Sequence, residues 1–150
     1  MENYEIEISL PLILNCIYEN KNSLLIENIL EIEFPVYKQP EIKYKYTYIG
    51  SPVPPVLTDL VITIPKNEDD ENTKYTFRCL KDWFDLDWNN ETGCLSYRTP
   101  MKGQITLTRF GKRGDIIEKI NYYNCKMVDC KYDDDYKFTF SVDFMTLDRY

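Results

Sequence analysis

Histidine is absent from the 150 residues of this sequence. Its absence excludes Ser-His-Asp and Cys-His catalysis, as well as every metal site built on an imidazole ligand. The sequence also has no Walker loop, no GxGxxG motif and no GxSxG motif, which are signatures of nucleotide binding and of serine hydrolases. We therefore expect a protein that is not an enzyme, with no catalytic residues, no cofactor and no bound metal.

The sequence has fewer basic than acidic residues. The sequence has 18 basic and 25 acidic residues, which gives a net charge of -7. Residues 1–75 hold 13 acidic and 6 basic side chains, whereas residues 76–150 hold 12 of each, so the negative excess lies in the first half. Proteins that hold nucleic acid neutralise its phosphates with lysine and arginine. The charge balance argues against tight binding of DNA or RNA.

Long apolar runs are missing as well. No run approaches the roughly 20 residues that a membrane-spanning helix requires. Glu2, Glu5 and Glu7 stand where a signal peptide would carry its basic region. We therefore expect no membrane partner and no secretory signal.

The cysteines do not form a recognisable metal or disulfide pattern. The five residues are Cys16, Cys79, Cys94, Cys125 and Cys130, and no two are spaced C-x-x-C. A reactive thiol or a metal cluster is the alternative to reduced cysteines that act as small hydrophobic residues. We expect the reduced form, which suits a cytosolic folding environment.

The composition is that of one globular domain. Hydrophobic residues make up 43% of the chain and charged residues 29%, which excludes a disordered protein. A domain of this length buries about 68–70% of its unfolded surface, so it forms a core without disulfides. We expect residues 1–150 to be a single domain.

Alternation of apolar and polar residues is the dominant pattern, and it predicts β-strands. The apolar positions fall in six groups: Tyr4, Ile6 and Ile8; Leu30, Ile32 and Phe34; Ile42, Tyr44, Tyr46 and Tyr48; Leu60, Ile62 and Ile64; Ile105 and Leu107; and Tyr136, Phe138, Phe140, Val142 and Phe144. Clean alternation is typical of antiparallel sheets with one buried face. The pattern predicts a mainly β protein of the sandwich or barrel type.

One segment follows helical spacing instead. Its apolar positions are Phe77, Leu80, Trp83, Phe84 and Trp88. Asn72 or Thr73 is placed to cap its start, and the preceding acids favour the positive end of a helix dipole. We predict one amphipathic helix over about residues 73–87, with Phe77, Leu80, Trp83 and Phe84 as its core face.

Two turns are indicated by their composition. Gly111–Gly114 reads as a hairpin loop between a strand near Ile105–Phe110 and another near Ile116–Tyr122. Asp133–Asp135 precedes the last strand and admits two interpretations, a calcium site and a solvated turn. The triplet lacks the glycine and the distal glutamate of a calcium loop, which favours the solvated turn.

Prolines are concentrated in residues 35–55, which hold five of the eight: Pro35, Pro40, Pro52, Pro54 and Pro55. Proline donates no hydrogen bond to a sheet, so this segment predicts a long projecting loop or an edge. Such loops within a compact domain are usually functional. Its aromatic residues (Phe34, Tyr37, Tyr44, Tyr46 and Tyr48) are typical of a contact surface. An ordinary β-hairpin with a proline-rich rim is the alternative.

The order of these elements resembles the tail tube protein family of long-tailed bacteriophages, above all the contractile-tailed ones. The features that carry the likeness are the opening strand Tyr4–Ile8, the Phe34-Pro35 step, the strand Leu60–Ile64 before an acidic turn, the helix with Asp82-Trp83-Phe84, the connection Asn90–Gly93, the hairpin Gln104–Ile117 and the closing strand Phe138–Phe144. The chain departs from that pattern in the residues after Phe144 and in a short segment between Tyr123 and Tyr136.

The resemblance implies a structural virion protein of the tail, made in the cytoplasm of a host bacterium. Six subunits would form a ring, possibly stacked on further rings, whose strands join into one β-barrel around a channel for DNA ejection. The loop Pro35–Pro55 would reach the next ring, which makes Tyr37, Tyr44, Tyr46, Tyr48, Pro52 and Pro54 candidate contacts between rings. Other phage tail, sheath or baseplate proteins would be further partners.

The acidic charge suits such a channel. Double-stranded DNA carries one negative charge per about 1.7 Å of its axis, and a wall of carboxylates repels it within a Debye length of about 8–10 Å. Glu5, Glu7, Glu31 and Glu33 occupy alternate strand positions in the acidic half. We predict that they line the channel and let DNA pass without specific binding; the alternative is that they face bulk solvent.

Three other functions remain compatible with the sequence. A tail hub, an adaptor or a tube initiator of the same fold would contact different proteins above and below its ring. A monomeric β-rich intracellular binding module would use the tyrosine-rich loop to dock a partner. An enzyme that relies on carboxylates alone would need two acids with separated pKa values in one cleft, and no such pair stands out.

Overall fold

The structure is a computed structural model that describes residues 4–11, 23–38, 56–67, 69–89, 94–95 and 102–150, with only the backbone of residues 86–89 and 94–95. Its strands are β1 (Tyr4–Ser9), β2 (Ser23–Ile26), β3 (Glu31–Glu33), β4 (Tyr37–Lys38), β5 (Val56–Leu57), β6 (Leu60–Pro65), β7 (Trp88–Asn89), β8 (Cys94–Leu95), β9 (Gly103–Phe110), β10 (Ile116–Tyr132), β11 (Asp135–Ser141) and β12 (Phe144–Arg149), and its helix is α1 (Glu71–Asp87).

Eight strands are joined into two sheets through the long strand β10. In sheet A the order is β12-β10-β9-β1-β2, and in sheet B it is β10-β11-β6-β3. All of these neighbours are antiparallel. The expectation of a mainly antiparallel β protein with one amphipathic helix is thus confirmed for the described residues.

Strand β10 belongs to both sheets because it bends in the middle. Residues Glu118–Tyr123 pair with β12, whereas Lys126–Tyr132 pair with β11. Between these halves Asn124 has a φ of 53°, a left-handed conformation that asparagine tolerates better than most residues. The sequence predicted a strand over only Ile116–Tyr122, because apolar and polar residues no longer alternate regularly at this bend.

The inner faces of both sheets share one core. Ile6, Ile8, Ile105, Leu107 and Tyr122 come from sheet A, and Leu60, Ile62, Met127, Phe138 and Phe140 come from sheet B; each is at most 1% exposed. The predicted inward positions of β1, β6, β9 and β11 are therefore confirmed. Leu30, Phe34 and Phe144 are corrections, because they are 49%, 38% and 47% exposed.

The helix covers the edge of this core. Leu80 and Trp83 are fully buried, and Phe77 and Phe84 are partly buried against the core, so the predicted core face is confirmed. The Trp83 ring lies 5.7 Å from Phe140 between ring centroids. The Phe77 ring stacks on Tyr136 with centroids 4.2 Å apart.

The predicted cap of α1 is wrong by a few residues. Asp70 caps the helix, because its carboxylate accepts hydrogen bonds from the backbone N–H of Asn72 (3.1 Å) and from the Thr73 hydroxyl (2.9 Å). A side-chain acceptor at this position satisfies N–H groups that have no partner within the helix. The helix therefore starts at Glu71, two residues before the predicted start.

The proline-rich segment 35–55 begins and ends on a short ribbon. Tyr37 pairs with Leu57 and Lys38 with Val56. The Val36 carbonyl accepts a hydrogen bond from the Thr58 N–H at 2.9 Å. The segment between these strands, with the predicted strand Ile42–Tyr48, lies outside the described residues.

Candidate assembly surface

The outer side of sheet A is mainly polar, with the exposed apolar side chains of Leu25 and Phe144 on its two edge strands. Ile6 and Ile8 point into the core, so Glu5 and Glu7 point outward from the same strand. Strand pairing extends this surface, which we name the polar face, to eight residues: Glu5, Glu7, Thr106, Thr108, Lys119, Asn121, Thr146 and Asp148. Short hydroxyl and amide side chains dominate its centre.

Hydrogen bonds join the centre of the polar face across three strands. The Thr106 hydroxyl lies 2.9 Å from Asn121 Oδ1, and Asn121 Nδ2 lies 3.4 Å from the Thr146 hydroxyl. The Tyr123 hydroxyl lies 3.2 Å from the same Thr146 oxygen. These bonds link the side chains of β9, β10 and β12, and beside them on the same face the Tyr123 and Phe144 rings stack with centroids 4.8 Å apart.

The polar face carries more negative than positive charge. Its acids are Glu5, Glu7 and Asp148, and its single base is Lys119. Glu7 is exposed and Glu5 is half-buried. Among these eight residues the face therefore has two more acidic than basic side chains.

The four predicted channel-lining glutamates do not lie together. Glu5 and Glu7 are on β1 of sheet A, whereas Glu31 and Glu33 are on β3, at the edge of sheet B. The inner faces of the two sheets share one core, so their outer faces point away from each other. The wall of one channel can therefore contain Glu5 and Glu7 or Glu31 and Glu33, but not all four. The alternation of residues in the sequence predicts strands, but it does not show which sheet each strand joins.

Both ends of sheet A are edge strands among the described residues. Strand β12 pairs on one side with β10, and β2 pairs on one side with β1. Each edge also exposes apolar side chains: Leu25 of β2 is 43% exposed, and Phe144 and Leu147 of β12 are 47% and 44% exposed. Such edges are templates for pairing with another chain.

The predicted contacts between rings are only partly described. Tyr37 lies on β4 and is 53% exposed, next to Val36 at 59%. Tyr44, Tyr46, Tyr48, Pro52 and Pro54 lie outside the described residues. The ribbon thus places one predicted contact residue and a neighbouring apolar residue at the surface.

An ion pair lies at one end of sheet A. Arg109 Nη2 lies 3.1 Å from Glu118 Oε2. Arg149 is the strand neighbour of Glu118 on β12 and makes no ion pair with a described residue.

Titratable groups inside the core are held neutral by burial. Burial raises the pKa of the Cys125 thiol to about 12 and of the Cys130 thiol to about 11. It also raises the pKa of the Tyr122 hydroxyl. Thiols in this state are poor nucleophiles, and the described cysteines Cys79, Cys125 and Cys130 are reduced rather than disulfide-bonded.

No cluster of three acidic or cysteine side chains able to hold a metal ion occurs in the described part of the chain. Its single helix is not long and apolar enough to cross a membrane.

At the acidic turn Asp133–Asp135, the Lys66 amino group donates to the carbonyls of Tyr132 and Asp133, at 3.2 and 3.3 Å.

Sequence reasoning missed two parts of this surface. The Thr106-Asn121-Thr146 ladder arises from strands that are distant in the sequence, so no local motif marks it. Strand β12 was seen only as a departure from the resembled family, although Phe144, Met145 and Leu147 form a short apolar cluster that favours a strand.

No family model and no curated protein matches this sequence. Solved structures do match its fold. The anti-feeding prophage cap (AFP tube terminating cap) is similar to this chain with a TM-score of 0.57 and 8% sequence identity, over 97% of this chain and 88% of that chain. The PVC sheath/tube terminator of an extracellular contractile injection system, in its extended state, is also similar. Its TM-score is 0.57 and its sequence identity 11%, over 95% of this chain and 92% of that chain.

The Hcp1 protein from E. coli EAEC 042 matches along the full length of both chains, with a TM-score of 0.51 and 9% identity. At such low identity the likeness concerns the fold. The mostly antiparallel β fold with one helix is thus similar to that of Hcp1 and of these tube-terminating proteins of contractile injection systems.

Proposed function

We propose that this chain is a structural subunit of a phage tail tube. Six copies close into a ring, and the polar face of sheet A lines a channel through which double-stranded DNA is ejected. The observation that carries the proposal is a mainly hydrophilic sheet face that is bordered on both sides, among the described residues, by edge strands. A ring of copies removes such edges in the way that a closed barrel does.

The charge of the polar face fits a channel that releases its cargo. Glu5 and Glu7 of each copy would form rings of carboxylates, and the whole chain carries a net charge of -7. Like charges repel phosphate over about 8–10 Å at physiological salt. DNA would therefore slide along hydroxyl and amide groups without being held.

Reversing the charge of the wall tests this assignment. We expect assembled rings of the double variant Glu5→Lys/Glu7→Lys to bind linear duplex DNA at low salt, whereas wild-type rings do not. Fluorescence anisotropy with a labelled linear duplex measures the binding. A covalently closed circle cannot thread the channel, so it should compete poorly.

The matched control is Glu31→Lys/Glu33→Lys on sheet B, which adds the same four charge units to the opposite face. Any DNA bound there should be displaced equally well by linear and circular competitors. If the Glu5/Glu7 variant also fails to distinguish the two forms of DNA, sheet A does not line the channel.

A terminating or initiating ring of the same fold is a second candidate. Two of the matching solved structures are a tube terminating cap and a sheath/tube terminator. A tube subunit stacks on copies of itself, whereas a terminator contacts different proteins above and below. Electron micrographs of the purified chain would show stacks in the first case and single rings in the second.

A further inference from the structure

The charges of α1 are arranged against the dipole of the helix. Its bases Lys74, Arg78 and Lys81 come before the acids Asp82 and Asp85, and its last turn has no base. Anions are stabilised near the amino-terminal end of a helix and cations near its carboxyl-terminal end. Such a conflict with a local preference is expected where side chains serve a function.

Two of these bases line a concavity of about 530 Å³ that is open to solvent on the exposed side of α1. In the described part of the chain its lining residues are Glu71, Asn72, Lys74, Tyr75 and Arg78. The guanidinium carbon of Arg78 lies 5.5 Å from the centroid of the Tyr75 ring. A guanidinium held on an aromatic ring still presents N–H donors at its edge.

The positive charge of the concavity is poorly compensated. Lys74 and Arg78 are four residues apart, so their side chains are neighbours on the helix and repel each other. Arg78 makes no ion pair with a described residue, and Lys74 Nζ lies 4.0 Å from Glu71 Oε1. The Glu71 side chain is 91% exposed, so this pair contributes little. An anion between the two cations would relieve their repulsion.

We propose that this concavity binds an acidic peptide segment of a partner protein, with one carboxylate between Arg78 and Lys74. The planar guanidinium matches the two oxygens of a carboxylate, and the ammonium group adds a second charged donor. The amide of Asn72 supplies a further N–H donor at the rim. The site uses no residue of the polar face, so it does not depend on the proposed ring or channel.

Shape and charge favour a peptide over other anions. Sites for small molecules bury about 70–90% of the ligand surface, whereas this concavity is open and its described lining comes from one helix. Nucleic acid would bring a row of phosphates close to the exposed acids Asp69 and Glu71, on a chain with a net charge of -7. A peptide presents a carboxylate to the cations and neutral groups to these acids.

Fluorescence anisotropy with a labelled peptide tests the site on the full chain. The probe is an acetylated peptide of three Glu-Gly repeats that carries an uncharged dye. A second probe has glutamine in place of each glutamate. We expect the protein to bind the glutamate probe and not the glutamine probe, with an affinity that falls as salt screens the exposed charges.

Variants of the lining residues should change this affinity in opposite directions. Arg78→Gln should weaken binding of the glutamate probe at least about tenfold, because hydrogen bonds between charged groups are lost. Arg78→Lys keeps the charge without the planar fork, so it should also bind more weakly than the wild type. Glu71→Gln should strengthen binding about twofold, because it removes a carboxylate that competes for Lys74.

Arg113→Gln is the matched control, since it removes the same charge at another place. Arg113 is exposed in the turn Gly111–Gly114 and makes no ion pair with a described residue. This turn follows the carboxyl-terminal end of β9, whereas Trp83 of α1 approaches Gly103 at the other end of that strand. We expect the control to bind the glutamate probe as the wild type does.

Equal losses of affinity in Arg78→Gln and Arg113→Gln would overturn the inference, because binding would then follow net charge and not the concavity. Equal binding of the two probes would overturn it as well. Displacement of the glutamate probe by a single-stranded oligonucleotide at a lower concentration than by unlabelled peptide would assign the site to nucleic acid instead. Both arginines are exposed, and circular dichroism verifies that the variants fold.

Discussion

At the scale of single residues, Lys66 shows how one cation orders an acidic turn. Its amino group donates to two carbonyls of the β10–β11 turn and lies 6.0 Å from the centroid of the Tyr136 ring. The turn Asp133–Asp135 was predicted to be solvated, and its three aspartates are exposed. Lys66, which directly follows β6, thus binds the turn through backbone carbonyl oxygens and not through the aspartate side chains.

Replacing this lysine should loosen the hairpin. We expect Lys66→Met to lower the free energy of unfolding by about 1 kcal/mol, since two hydrogen bonds from a charged donor are lost at an exposed site. Urea unfolding measures the change. Lys131→Met is the control, because its exposed pair with Asp129 at 3.8 Å contributes close to nothing; equal losses would contradict the role of Lys66.

The buried thiol of Cys125 should make stability fall at high pH. Its pKa is raised to about 12 by burial, whereas an unfolded thiol titrates near 8.5. The unfolded state thus releases its proton first, so stability is complete below the unfolded pKa and is lost as pH rises toward the folded pKa. At pH 10 the loss from this thiol is about 1–2 kcal/mol.

Urea unfolding of reduced protein at pH 7.5 and pH 10 measures this loss, and the variant Cys125→Ala supplies the control. The variant should lose less stability between the two pH values than the wild type. An identical pH dependence of the two proteins would show that Cys125 does not titrate on unfolding.

At the scale of elements, the contact between α1 and β9 depends on a glycine. A Cβ atom on Gly103 would lie 2.6 Å from the Ser9 carbonyl oxygen and 2.9 Å from Trp83 Cη2. The backbone carbonyl cannot yield as a flexible side chain does. Gly103 therefore lets β1, β9 and the buried tryptophan approach each other closely.

Gly103→Ala should consequently destabilise the protein by roughly 1–3 kcal/mol, the usual cost of overpacking a core. Gly111→Ala is the comparison: its Cβ would meet Asp115 Oδ1 at 2.8 Å, the end of a side chain that is free to rotate. Its effect should stay within about 0.5 kcal/mol. Thermal melting ranks the two variants, and a Gly103 variant as stable as the Gly111 variant would refute the close packing.

The elements also show where sequence reasoning succeeds. The apolar residues of β1, β6, β9 and β11 alternate with polar residues or with partly exposed ones, and those of the helix follow helical spacing, so all five elements were predicted. The full length of β10 was not, because the bend at Asn124 and the irregular pairing between Met127 and Asp129 shift the alternation. Helix caps and strand bends depend on single side chains, so the periodicity of apolar residues does not predict them.

At the scale of the whole molecule, tertiary pairing decides which charges share a surface. Glu5 and Glu7 had the same strand pattern as Glu31 and Glu33, yet the pairs lie on different sheets. The sequence pattern predicted the fold class, but it did not show which strands share a sheet. Long-range pairing created the rest of the polar face, since Thr106, Asn121 and Thr146 meet only when β9, β10 and β12 align.

The central claim is that copies of this chain seal the edges of sheet A by forming a closed ring. Native mass spectrometry of the purified wild-type protein counts the subunits directly. A chain of 18.0 kDa should give a ring of six copies, roughly 108 kDa, or a stack with multiples of that mass. A single species at the mass of one chain, even at high protein concentration, would contradict the account.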